Sequence, residues 1–133
     1  MQPIAFPDGV ALVVDYLRGR LAAHGWAVPV VTHVPDPRPP SFVRLERVGG
    51  TRRDLVTDGP RLTVECWGPS EEDATDLATV ARALVFALPG WRGAAVYAVA
   101  DVGGPNTSPD PVSAQPRVVF SVEAEMRGAA LTP

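Results

Sequence analysis

The sequence has no lysine: all 12 of its basic residues are arginine. Every cation is therefore a planar, permanently charged fork suited to bidentate carboxylate pairing, so ion pairs in the folded chain should be geometrically specific. There is one cysteine, Cys66, which excludes an internal disulfide and a disulfide scaffold. No apolar run approaches the ~20 residues that a bilayer-spanning helix needs. The opening MQPIAFPDG has no basic stretch leading into a long apolar one, so no signal peptide is expected. Histidine is scarce as well. His24 and His33 are the only two, and no carboxylate or cysteine is spaced to complete a metal set with either. Nucleophile-elbow, Walker A and dinucleotide fingerprints are absent. Positive charge is not in excess: the formal net charge of −3 argues against wrapping nucleic acid by charge alone.

What is present suits one small domain. The 133 residues are 46% hydrophobic, enough to bury a single core, and 15 prolines with 12 glycines imply many tight turns and stiff connections. Charge is unevenly placed. Residues 38–61 hold six arginines against Glu46, Asp54 and Asp58, while 65–76 hold Glu65, Glu71, Glu72, Asp73 and Asp76 without a cation. Opposite poles of this kind could dock copies head to tail. Equally, the acids could stabilise a helix N-terminus and the arginines could solvate a hairpin.

Periodicity sets the expected elements. Asp8 is a good N-cap, and Val10, Val13, Val14, Leu17 and Leu21 recur at helical spacing behind it, predicting a helix over about 9–23 with Gly25 at its C-terminal end. VPVVTHV (28–34) reads as a short edge strand and PDPRPP (35–40) as a stiff extended connector. FVRLERV (42–48) and RLTVECW (61–67) alternate and predict an antiparallel pair, Gly49-Gly50 ending the first and a long loop joining them. Ser70 and Asp73 resemble a capping box, opening a helix over about 71–88 with Leu77, Val80, Ala81, Leu84 and Leu88 as its apolar stripe. VYAVADV (96–102) and RVVFSVEAEM (117–126) are further strands, joined by a polar loop over 103–116. In the last strand Val118, Phe120, Val122, Ala124 and Met126 face the core, and Ser121, Glu123 and Glu125 face water or a partner. The order α-β-β-β-α-β-β predicts an α+β two-layer sandwich: a mostly antiparallel or mixed sheet with both helices on one face. Residues 1–128 would form the single domain and 129–133 a flexible tail.

Cys66 alternates inward beside Leu62 and Val64 and reads as a buried, inert thiol. The cluster Glu71-Glu72-Asp73-Asp76 is explained by helix capping with fewer assumptions than by a cation. Arg44, Arg47, Arg52 and Arg53, with Trp67 able to stack beside them, are the one nucleic-acid candidate, which the acidic balance opposes. The outward face of 61–67 carries Thr63, Glu65 and Trp67, and that of 42–48 carries Arg44, Glu46 and Phe42. Either this face is interface-like, with arginines around exposed aromatics, or its aromatics pack under the two long loops.

The spread FVRLERVGGTRRDLVTDGPRLTVECWG, the acid-capped helix ending ALPG, and VYAVADVGGPNTSPDPVSAQPRVVFSVEAEMRG together resemble the small tail terminator proteins of long-tailed bacteriophages, especially those infecting actinobacteria. The resemblance runs from about Asp8 to Gly128. Its most telling pieces are Val48-Gly49-Gly50 with Arg52-Arg53-Asp54, Glu65-Cys66-Trp67, and Gly103-Gly104-Pro105 leading to Gln115-Pro116-Arg117. The resemblance implies an α+β protein, neither enzyme nor cofactor carrier. It would be assembled in the bacterial cytoplasm as a hexameric ring on the head-proximal end of the virion tail. The ring stops addition of tail-tube subunits and presents a surface to neck or head-completion proteins. On this reading Arg44, Arg47, Arg52, Arg53, Asp54, Asp58, Glu65, Trp67, Asn106 and Asp110 are candidate contacts to a sibling subunit or the tube, with no membrane and no specific nucleic-acid partner. The alternatives are another neck, head-completion or minor tail protein, and a small-molecule-binding α+β domain, which would need a concave apolar pocket with converging polar groups.

Overall fold

The computed structural model describes residues 2–131. Ten elements follow in order: β1 (Ile4–Ala5), α1 (Gly9–Ala23), β2 (Val30–Val31), β3 (Phe42–Arg52), β4 (Thr57–Trp67), α2 (Glu71–Phe86), a 3-10 turn (Trp91–Gly93), β5 (Val96–Thr107), β6 (Arg117–Arg127) and β7 (Ala129–Ala130). The main sheet has the order β2-β3-β4-β6-β5; β2 runs parallel to β3 and every other pair is antiparallel. The fold is the expected α+β sandwich with a mixed sheet, framed by the extra pair β1–β7.

Both helices start where their caps dictate. Asp8 Oδ1 accepts the Ala11 N–H at 3.1 Å, and Ser70 Oγ accepts that of Asp73 at 3.1 Å while its hydroxyl donates to Asp73 Oδ2 at 2.8 Å. Glu71, Glu72 and Asp73 place negative charge at the positive end of α2. The helices bury Val13, Leu17 and Leu21 of α1 and Ala74, Leu77, Ala81 and Leu88 of the α2 region against one face of the sheet. That face is the alternate set predicted: Val43, Leu45, Leu62, Val64, Cys66, Val118, Phe120, Val122, Ala124 and Met126 all lie in the core. Register makes it continuous, since Leu45 faces Val64 and Val64 faces Phe120 across the strands. The helices are joined at one point by a buried polar link, Tyr16 Oη–H donating to the Leu84 carbonyl at 2.7 Å.

Four expectations change. The strand over 28–34 shrinks to Val30–Val31, because Pro29 and Pro35 have no N–H for the ladder. Gly49-Gly50 does not end its strand. The register slips between Arg47 and Gly49, a bulge forms, and pairing continues to Arg52 opposite Asp58. Gly50 has φ +94°, and a Cβ there would lie 2.8 Å from Pro60 Cα, so glycine is the residue that fits. The supposed long loop is thus a hairpin whose turn is Arg53–Val56. Likewise β5 passes through Gly103-Gly104, with register shifts, to Thr107, leaving a shorter connection over 108–116. Finally, the chain after Gly128 is not frayed at its start: Ala129 and Ala130 pair with Ala5 and Ile4, the Gly128 N–H donates to the Val56 carbonyl, and that of Leu131 to Pro3. Residues 132–133 of the expected tail lie outside the described residues.

Candidate functional site

The sheet has a second face, which no helix covers. Alternation brings Arg44 and Glu46 of β3, Arg61, Thr63, Glu65 and Trp67 of β4, and Arg117, Ser121, Glu123 and Glu125 of β6 to this side. Its side chains are fastened to one another across the strands.

At one end, Phe42 and Trp67 face each other in register and stack, with ring centroids 4.9 Å apart and planes 21° from parallel. They are not exposed. Phe42 is fully buried and Trp67 is 2% exposed. The reason is a cover of connecting segments. Arg38 from the proline-rich connector and Arg117 at the start of β6 both place their guanidinium groups over the Trp67 ring, at 5.6 and 5.3 Å. Gln115 ties the two covering loops together, accepting from Arg38 Nη1 and donating to the Pro40 carbonyl. Beside the stack, Glu65 is nearly buried yet satisfied. Its Oε2 meets Arg44 at 3.0 Å and Arg117 at 3.5 Å, and its Oε1 accepts the Trp67 indole N–H at 3.2 Å. The interface-like aromatics are therefore a small second core, held by an Arg–Glu–Arg clamp.

At the other end, Arg53 reaches across β4 to Glu123 and Glu125 of β6. Gly59 is the window for this crossing. A Cβ at that position would lie 2.6 Å from Glu123 Oε1 and 3.1 Å from Arg53 Nε. The hydrogen bond and charge of Glu123 push the Arg53 guanidinium still further toward its charged form. Arg47 pairs with the buried Asp58 at 3.4 Å. Arg52 donates to the carbonyls of Asp54 and Leu55 and lies over Phe6. Asp54 Oδ1 accepts the Val56 N–H, which holds its carboxyl below the usual carboxylate range. Between the two ends, Thr63 and Ser121 hydrogen-bond at 3.2 Å, and Glu46 and Arg61 stay exposed.

The ten sequence-predicted contact residues thus divide into separate groups. Arg44, Glu65 and Trp67 come together at the stack. Near the β3–β4 turn, Arg47 pairs with Asp58 and Arg52 bonds to Asp54 on the helix side of the sheet, whereas Arg53 crosses the other face to β6. Asn106 lies exposed on β5 opposite Val119, and Asp110 builds the 108–116 loop, accepting the N–H and hydroxyl of Ser113 at 2.9 and 2.7 Å. The basic segment is largely spent inside the chain, since Arg44, Arg47 and Arg53 all pair with the chain's own carboxylates. Of the acidic segment, Glu65 is also internal, whereas Glu71, Glu72 and Asp76 are exposed on α2. Opposite poles free to dock are therefore not what the fold presents. Arg38, Arg117, Gly59 and Glu123, which complete these clusters, are cross-chain partners that no local spacing links.

Cys66 is fully buried, and that burial, with the Glu65 charge beside it, pushes its thiol far above the ordinary range, so it is inert as a nucleophile. Among the described residues, no three His, Cys, Asp or Glu side chains are placed to hold a metal ion, and no helix is long and apolar enough to cross a membrane. No protein-family model and no curated protein sequence matches the chain.

Proposed function

We propose that this chain is a structural component of a bacteriophage tail, a tail terminator. Copies form a ring, by the resemblance a hexamer, on the head-proximal end of the tail tube, stop its growth and offer a surface to the neck. The reading rests first on the resemblance of Asp8 to Gly128 to that family. The structural observation that carries it is the uncovered sheet face. A layer of polar side chains lies across three strands, immobilised by Arg44–Glu65–Arg117, Arg44–Glu46, Thr63–Ser121 and Arg53–Glu123–Glu125, with the exposed Arg61 left to meet a partner. Side chains already fixed in place lose little entropy on docking, which suits a part that must recognise one end of one assembly. The buried stack at Phe42 and Trp67 moves from contact to support: it fixes the height of the face.

The test adds the purified chain to polymerising tail-tube protein. Growth should arrest, with a ring at one end of each tube in negative-stain images. Arg61→Ser removes an exposed cation that takes part in none of these clusters, and should weaken arrest while leaving the fold intact. Tubes that keep growing past saturating protein overturn the reading.

A further inference from the structure

We infer that copies of this chain join end to end, the apex of the 108–116 loop of one copy seating Val112 in the apolar groove beside the β3–β4 turn of the next. Val112 is 94% exposed, well beyond any other large apolar side chain among the described residues. A valine held in water normally sits on a loose segment, but this one is presented by a braced turn. The Asp110 carboxylate takes both donors of Ser113, the Ala114 N–H donates to the Asp110 carbonyl at 2.9 Å, and the Ser113 hydroxyl accepts the Gln115 N–H. Ala114 is held at φ +59°, an unfavourable conformation for a residue with a Cβ. Pro109 and Pro111 stiffen the approach on both sides of Asp110. A knob fixed in this way reaches a partner with its ordering cost already met.

The groove lies at the far end of the same sheet. It is about 350 Å³, lined by Gln2, Pro3, Ile4, Arg52, Leu55 and Val56, and mostly apolar. Leu55 and Val56 are 57% and 50% exposed on its wall. The pairs Thr57–Arg127 and Trp67–Arg117 mark the two ends of the central strands, ten residues or about 33 Å apart. One molecule therefore cannot fill its own groove with its own knob, and the contact must be between copies. Charge agrees with the match. Asp110 stands at the base of the knob without a salt bridge, and Arg52 lines the groove hydrogen-bonded to two backbone carbonyls and stacked on Phe6 but paired with no carboxylate, so one copy's carboxylate meets the next copy's guanidinium. Knob and groove are different surfaces, so the contact is head to tail, the kind that closes into a ring when the rotation allows. The inference supplies the sibling contact that the terminator reading requires and leans on that reading only for closure.

Two full-length variants test it, Val112→Cys and Val56→Cys, mixed under mild oxidation; the native Cys66, buried, does not compete. The disulfide-linked heterodimer should exceed the homodimers formed by either variant alone by about tenfold, and adding Leu55→Asp to the Val56→Cys partner should cut its yield by about tenfold, the worth of one buried aliphatic side chain. Heterodimer no more abundant than homodimers, or yields unmoved by Leu55→Asp in a protein with native circular dichroism, overturns the contact. Cross-linking without arrest of tube growth would keep the contact and remove the terminator role; arrest without cross-linking would do the reverse.

Discussion

Replacing Trp67 by alanine separates two accounts of the uncovered face. If Trp67 were an interface side chain waiting for a partner, its loss would spare the monomer and abolish assembly. In the structure it is 2% exposed, stacked on Phe42, overlain by Arg38 and Arg117, and bonded through its indole N–H to Glu65. Truncating a buried tryptophan costs about 3–5 kcal/mol through lost transfer energy and the cavity left behind. Glu65 also loses a donor at a nearly buried oxygen, which adds roughly 1 kcal/mol. A domain of this size has only about 5–15 kcal/mol in total, so the variant should lose about a quarter or more of its stability and roughly 10–25 °C of melting temperature. Urea denaturation followed by far-ultraviolet circular dichroism reads this without depending on the deleted fluorophore. Trp67→Phe, which keeps the stack but not the donor, should cost clearly less. A loss below about 1 kcal/mol for Trp67→Ala would refute the packing argument and return this residue to the interface.

Other consequences are as direct. Tyr16→Phe removes the link to the Leu84 carbonyl while keeping the ring packed edge-on to Trp91, and should cost about 0.5–1.5 kcal/mol by chemical denaturation. Ser70→Ala should lower stability by about 1 kcal/mol, with loss of amide protection confined to the first turn of α2. Cys66 should resist thiol reagents in the native protein at pH 8 and react fully in denaturant; rapid native labelling would contradict its burial. The Asp110 carboxyl is held below its ordinary range, chiefly by the Ser113 hydroxyl and then by the Ser113 N–H, so it supports its turn above about pH 4 and releases it as pH falls through the depressed value. Amide exchange at Ser113 should show that acid dependence, and Asp110→Asn should flatten it.

The fold was legible where one rule acted at a time. Period and cap agreed for both helices, so Asp8 and Ser70 placed their starts correctly, and alternation in 117–127 assigned the core face without error. Glycine pairs misled because the same residues serve two ends. Gly49-Gly50 and Gly103-Gly104 looked like strand terminators and proved to be sites where pairing slips and continues, a distinction set by the partner strand and invisible in the local sequence. The candidate site was less legible for the same reason. Alternation correctly put Phe42 and Trp67 on the side away from the helices, but their burial depends on Arg38 and Gln115 arriving from segments distant in sequence. Arginines 44, 47 and 53 looked free because their carboxylate partners lie on other strands or across a turn.

If this chain ends tail growth, tail length in a virus deprived of it reads that out directly. Electron microscopy of cells infected by the deletion should show tubes running well past the normal length and without heads, restored to uniform length when the chain is supplied from a plasmid. Tails of normal length joined to heads in its absence would contradict the account.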